Sequence, residues 1–177
     1  MKQTSKCALG GITAALSLTL LISVAIVPFM TYALTAIAGA LIIIMVIEVN
    51  KTWALGVYAV ISILGFFLVP EKEVAVMYAA FFGYYPILKS LIEARVPAVP
   101  GWILKVLTFL TTITVSYYLM IKLMGLTLDE IDEYGIWGAA LLLGVGTFAF
   151  VFYDIALTRL ITIYLKKWRK HFKKYFK

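Results

Sequence analysis

The chain alternates between long apolar runs and short polar breaks, and each run is long enough for a membrane-spanning helix, which needs about 20 mostly apolar residues. Residues 7–47 carry no charge at all and cover about twice that length. Pro28, near the middle of this run, favours a turn. The pattern therefore predicts a first span at about 8–27 and a second at about 32–49.

Prolines, glycines and charges separate four further apolar runs. The sequence PEKE follows a third span at about 52–69, the connector RVPAVPG follows a fourth at about 74–93, and the acidic loop LTLDEIDEYG follows a fifth at about 102–124. The sixth run begins near Tyr134 and is too long for one straight crossing, so we expect the helix to leave the membrane near Arg159. The predicted fold is all-α and polytopic, with six transmembrane helices in residues 1–159 and a tail in residues 160–177.

The composition agrees with this pattern. Of the 177 residues, 63% are hydrophobic and only 14% are charged, and the mean hydropathy is +0.99. A soluble domain has roughly 45–50% apolar and about 25% charged residues. The chain is therefore expected to be an integral membrane protein of one compact domain, and its only cysteine, Cys7, excludes a disulfide framework.

The basic residues are distributed unevenly between the two sides of the predicted membrane. With six spans, 14 of the 16 lysines and arginines fall on the side of the N-terminus, and only Lys72 and Lys122 fall on the other. Cytoplasmic loops carry an excess of Lys and Arg. This predicts a multi-pass protein of the cell membrane with both termini in the cytoplasm.

The tail combines one apolar stripe with many basic residues. This pattern predicts a basic amphipathic helix that lies on anionic lipid, so we expect the partner of the tail to be the bilayer rather than nucleic acid. The stripe consists of Ile161, Tyr164, Leu165, Trp168, Phe172, Tyr175 and Phe176.

Several charges gather at the cytoplasmic level of the predicted spans. Lys89 lies about 9 Å past the membrane midplane, where a lysine can snorkel to the interface. Acids at such a depth usually pair. The functional interpretation is a cluster that binds a partner or an ion, and the structural one, which we favour, is ion pairs that hold the helix ends in register. The cluster comprises Glu48, Lys89, Asp154 and Arg159.

Aromatic and hydroxyl side chains are frequent in the outer halves of the spans. They fit an interfacial aromatic belt or, where some turn inward, a pocket for a small molecule. The pocket candidates are Thr31, Tyr32, Thr35, Tyr78, Tyr117, Tyr118 and Trp137.

Small residues recur four apart in the first span, as Gly10 with Ala14 and Gly11 with Ala15. This spacing lets membrane helices approach closely. It fits either internal packing or docking against another membrane subunit.

The sequence carries no motif of a catalytic or metal site. It has no H-E-x-x-H, no histidine within a span, and no glycine-rich loop followed by lysine and a hydroxyl residue. We therefore expect no enzyme activity, no cofactor and no metal. If the protein helps to move a solute, ATP hydrolysis must belong to a partner.

The chain resembles the substrate-binding S component of energy-coupling factor transporters. The shared features are the start KCALGGITAAL, six predicted spans in about 175 residues, cytoplasmic ends and a short first outer loop. The chain also resembles other small bacterial membrane proteins. The S-component resemblance implies binding of a vitamin-like solute near the outer face, by residues such as Thr31, Tyr32 and those at the outer ends of spans four to six. It also implies that the first helix docks on a transmembrane coupling subunit, which works with two ATPases. The matching docking positions are Ala8, Gly11, Ala14 and Ala15.

The residues also fit two other functions. One is a structural or regulatory membrane protein without a ligand. The other is a self-sufficient carrier or channel that uses Glu48, Lys89 and Asp154 as its coupling site.

The predicted orientation is tested by labelling. The two probes are Cys7 and a cysteine introduced at Lys177 in a Cys7→Ser background. Both should react with a membrane-impermeant maleimide in inverted vesicles, and neither should react on intact cells, because both ends lie on the side enriched in Lys and Arg. Labelling of the two ends from opposite faces would contradict an even number of spans.

Overall fold

The structure, a computed structural model, describes the backbone of residues 2–124 and 129–169 and most of their side chains. These residues form helices and contain no strand, and they include six helical stretches that are long and apolar enough to cross a membrane. The all-α fold with six candidate spans is confirmed. The helices are α1 (Gln3–Ser23), α2 (Thr31–Ala40), α3 (Ile42–Glu48), α4 (Lys51–Leu68), α5 (Lys72–Met77), α6 (Tyr85–Arg95), α7 (Ala98–Met124) and α8 (Asp129–Ile163).

Two of the six spans are built from more than one helix. The second, Pro28–Glu48, begins with a 3-10 turn at Pro28–Met30 and continues through α2 and α3. The fourth, Lys72–Arg95, joins α5 to α6 through a π-helical segment at Tyr78–Phe82. A second π-helical segment, Tyr164–Trp168, follows α8.

Several boundaries differ from the sequence prediction. Helix α1 lies four to five residues nearer the N-terminus than predicted. Helix α7 begins at Ala98, inside the predicted connector. Pro100 falls in its first turn, where backbone N–H groups have no partner within the helix, so a residue without an N–H is tolerated. Helix α8 begins at Asp129, inside the predicted acidic loop, and carboxylates suit the positive end of a helix. The backbone stays helical past Arg159.

The fourth span is interrupted near Pro86, between the π-helical segment and α6. The Gly83 N–H donates to the Tyr78 carbonyl at 2.8 Å, five residues back, and α6 starts two residues later. Pro86 has no N–H, so the carbonyl of Phe82 lacks its usual helical donor. That carbonyl faces Gly39 of α2 so closely that a Cβ at this glycine would collide with it.

The described side chains pack into two apolar cores. The first joins α1, α2, α3, α4 and α5, and Gly10 of α1 sits against Val57 of α4. The second is largely aromatic and joins the fourth span to α3, α7 and α8. In this second core Phe81 stacks on Tyr85 with ring centres 4.9 Å apart, and Phe109 stacks on Phe150 at 4.8 Å. The aromatic core lies directly against the polar groups described below.

Gly39→Ala should lower the free energy of unfolding by about 1–3 kcal/mol, because the new methyl group overpacks the contact with the Phe82 carbonyl. Thermal unfolding in detergent measures the loss. Gly56→Ala is the matched control, since a Cβ there meets no atom within 4 Å. Equal stability of the two variants would contradict the close approach of the second and fourth spans.

Candidate functional site

Three polar side chains line one face of α6 at intervals of four residues. Tyr85, Lys89 and Glu93 occupy successive turns, and residues four apart in a helix share a face. Lys89 and Glu93 form an ion pair along this face, with Lys89 Nζ 2.7 Å from Glu93 Oε1. Helix α6 thus presents a phenol, an ammonium and a carboxylate to the neighbouring helices.

Helices α7 and α8 complete a network of five side chains, which we call the ion network: Tyr85, Lys89, Glu93, Lys105 and Asp154. Asp154 accepts from Tyr85 at 2.5 Å and from Lys89 at 2.6 Å through Oδ1, and from Lys105 at 3.3 Å through Oδ2. Lys105 Nζ also lies 2.7 Å from Glu93 Oε1. Each lysine therefore contacts both carboxylates, and the two positive charges balance the two negative ones.

The ion network lies deep in the protein but near one end of the spans. Lys89 is 1% exposed, Lys105 4% and Asp154 2%. Lys89 lies six residues from the end of α6 and Lys105 seven from the start of α7, about 10 Å along each axis. Removing charges from water is costly unless they are paired, so the close contacts among these groups are required for burial.

The ion network contains two of the four charges predicted to cluster. Lys89 and Asp154 meet, as expected. Glu48 does not join them: its Oε1 lies 3.4 Å from Nε of Arg169, beyond the end of α8. Arg159 is exposed, and it forms no salt bridge with any residue that the structure describes. Including these two was wrong because depth along a span says nothing about the direction in which a side chain points.

Lys105, Glu93 and Tyr85 were not among the residues predicted to form the cluster. The spacing of Tyr85, Lys89 and Glu93 was a usable signal, since it puts all three on one helical face. No sequence signal showed that Lys105 turns toward that face, because this depends on how α7 packs against α6.

A small cavity lies on the other side of the aromatic core, between the π-helical segment and α7. Its volume is about 320 Å³, and Ala80, Thr111, Thr112, Val115 and Ser116 line it. Next to it, the hydroxyls of Tyr84 and Thr112 are 2.7 Å apart. The cavity is open toward the surface and combines apolar walls with hydroxyl groups.

None of the predicted pocket residues whose side chains the structure describes lines this cavity. Thr35 and Tyr78 are fully buried, while Tyr32 and Tyr118 are 66% and 59% exposed. Thr31 and Thr35 donate their hydroxyls to backbone carbonyls one turn earlier, Pro28 and Thr31. The side chains of Tyr117 and Trp137 lie outside the described part of the chain. As a site for a solute, this set stays a prediction.

Helix α1 divides its residues between an inward and an outward face. Leu9, Gly10 and Thr13 are buried, whereas Ala8, Gly11 and Ala15 are exposed. A Cβ at Gly11 would meet no atom within 4 Å. Of the four predicted docking positions only Ala14 packs partly against the first core. Ala8, Gly11 and Ala15 therefore form a strip of small residues on the surface of the bundle, which we call the open strip.

The tail is described only as far as Arg169, and residues 170–177 lie outside the described part. Of the predicted apolar stripe, Tyr164 is 4% exposed and Leu165 41%. Placing Tyr164 on the lipid-facing stripe was wrong, because its side chain packs inside the protein. Arg169, beside Glu48, connects the start of the tail to the end of α3.

Asp154→Asn should lower the free energy of unfolding by about 3–5 kcal/mol, because it removes the buried carboxylate on which Lys89 and Lys105 converge. Chemical unfolding in detergent measures this change. The double variant Lys89→Met/Asp154→Asn removes one charge of each sign and should be more stable than Asp154→Asn alone.

Glu48→Gln is the matched control for this substitution, and it should cost about 0–1 kcal/mol because the partner, Arg169, is 41% exposed. If Asp154→Asn cost no more than Glu48→Gln, the ion network would not be a buried unit.

Comparison of the chain with models of known protein families, with curated proteins and with solved structures finds no match. No residue acquires a role from a relative. A function is therefore inferred from three features of the molecule: the ion network, the cavity and the open strip on α1.

Proposed function

We propose that this chain is the substrate-binding subunit of an uptake transporter in the cell membrane. It takes up a small vitamin-like solute and depends on a separate membrane subunit and ATPases for energy. Both termini face the cytoplasm, since the side with the N-terminus holds most of the lysines and arginines. The ion network then lies toward the cytoplasm, and the cavity toward the outside.

The observation that carries this proposal is the open small-residue strip on α1. Ala8, Gly11 and Ala15 are exposed on a helix whose opposite face is buried. Association of membrane helices depends on close packing, and small residues permit it. A strip that is left free by the rest of the bundle suits a helix of another subunit.

The cavity supports the capture of a solute. Thr111, Thr112 and Ser116 supply hydroxyl oxygens, and Ala80 and Val115 supply apolar contact. Few polar groups on an apolar wall are typical of small-molecule sites. In this proposal the solute is small and carries hydrogen-bonding groups.

A self-sufficient carrier is the second candidate, and the ion network favours it. Ionisable side chains inside membrane spans often belong to ion or proton pathways. A carrier of this kind moves its solute without an ATPase, so the two candidates differ in what accompanies the protein in its native membrane.

The test is native mass spectrometry of the tagged chain, extracted gently from its host membrane. The wild type should retain a membrane subunit together with ATP-hydrolysing subunits, and a bound small molecule. Gly11→Leu should reduce the co-purifying ATPase activity about tenfold, as expected for the loss of about 1.4 kcal/mol of binding, because the added side chain fills the open strip.

Gly56→Leu is the control, since it makes the same change at an exposed glycine of α4 with equally open surroundings. The docking proposal is rejected if no ATPase co-purifies with the wild type. It is also rejected if both variants retain the ATPases equally. Solute uptake by the purified chain in vesicles without ATP would favour the carrier.

A further inference from the structure

The two carboxylates of the ion network have different surroundings. Asp154 is almost completely enclosed, with a side chain 3% exposed, and it accepts hydrogen bonds from three side chains. The Glu93 side chain is 46% exposed, although its Oε1 lies 2.7 Å from Nζ of both lysines. Asp154 is a fixed part of the interior, whereas Glu93 reaches the lysines from the surface.

The buried part of the ion network is positively charged without Glu93. Lys89 and Lys105 contribute two positive charges, and Asp154 contributes one negative charge. An ammonium group has three donors and no acceptor, and a buried unpaired charge is strongly unfavourable. An anionic group at the position of the Glu93 carboxylate therefore restores the charge balance of the buried part.

The opening of the ion network lies near the ends of α6 and α7. Glu93 is two residues from the end of α6, and Trp102 in the first turns of α7 is 37% exposed, with its ring centre 5.2 Å from Lys105 Nζ. Tryptophan at such a level is typical of the membrane–water interface, where lipid phosphates and dissolved anions are both present.

We propose that Lys89 and Lys105 form a binding site for a phosphate group on the side of the N-terminus, and that Glu93 occupies this site as an internal competitor. A phosphate oxyanion offers several acceptor oxygens and binds lysines as point charges. It takes the place of Glu93 Oε1 between the two ammonium groups while Asp154 stays bound beneath them. The phosphate belongs either to an anionic lipid or to a small soluble molecule. This site does not depend on the transport proposal, because it lies across the aromatic core from the cavity.

The experiment compares the wild type with Glu93→Gln, which keeps the shape of the side chain and removes its charge. Native mass spectrometry from nanodiscs of mixed phosphatidylglycerol and phosphatidylcholine counts the retained anionic lipid. Thermal unfolding with increasing inorganic phosphate measures the soluble ligand. Glu93→Gln should retain about ten times more phosphatidylglycerol than the wild type, or bind inorganic phosphate about tenfold more tightly, as expected for the loss of about 1.4 kcal/mol of competition.

Two further variants test where the anion binds. Glu73→Gln removes the same charge from an exposed position on α5, at the opposite end of the span, and should behave like the wild type. Lys105→Gln in the Glu93→Gln background should abolish the gain, because it removes one of the two ammonium groups.

A gain with phosphatidylglycerol alone assigns the site to a lipid headgroup, and a gain with inorganic phosphate assigns it to a soluble ligand. Absence of both gains, an equal gain in Glu73→Gln, or a gain that survives Lys105→Gln would overturn the proposal. If Glu93→Gln does not fold, the wild type is compared with Lys105→Gln, which must retain less anionic lipid or bind inorganic phosphate more weakly for the proposal to stand.

Discussion

The arrangement of the second half of the molecule depends on one constraint: the charges of Lys89, Lys105 and Asp154 have to be neutralised inside a membrane-spanning bundle. These three residues come from three different helices, and none of the residues is more than 4% exposed. Their contacts are possible only if α6, α7 and α8 are held at fixed positions and rotations. A buried ion network of this kind contributes less net stability than its short distances suggest, because desolvation opposes pairing. Its larger effect is to exclude other packings, since any rotation that separates the charges leaves them unpaired.

The interruption of the fourth span brings the polar and aromatic layers together. The π-helical segment Tyr78–Phe82 and the turn before Pro86 reset the phase of the helix, and Tyr85 then lies both on Phe81 and against Asp154. Such π-helical segments are frequent at functional sites. In this chain the segment borders the cavity on one side, through Ala80, and leads into the ion network on the other. The aromatic core therefore separates two polar regions that lie at different depths.

This separation gives the molecule two ends with different chemistry. The cavity offers hydroxyl groups and apolar walls, which suit a small uncharged or weakly polar solute. The ion network offers two buried ammonium groups that the half-exposed Glu93 reaches from the surface, and such a pair suits an anion. The open strip lies on the exposed face of α1, whose opposite face packs into the first core. No residue of α1 belongs to the cavity or the ion network, so association with a partner subunit leaves both accessible. The proposed transport subunit and the proposed phosphate site are thus compatible in one chain.

The fold class and the span count follow from the hydrophobic pattern, because each crossing requires about 20 apolar residues whatever the neighbours are. Errors at helix ends came from Pro100 and from the acids after Asp129, which the structure accommodates in first turns, where helices tolerate proline and favour carboxylates. The inward and outward faces of α1 were not predictable, because small residues lie on both.

The sequence by itself determined that Lys89 and Asp154 lie at one depth, since depth follows from counting residues along each span at about 1.5 Å per residue. Only the tertiary structure decided that they meet, that Lys105 and Glu93 join them, and that Glu48 pairs with Arg169 instead. The physical reason is that lateral position and rotation about the helix axis are set by packing between helices far apart in sequence, which no local pattern encodes.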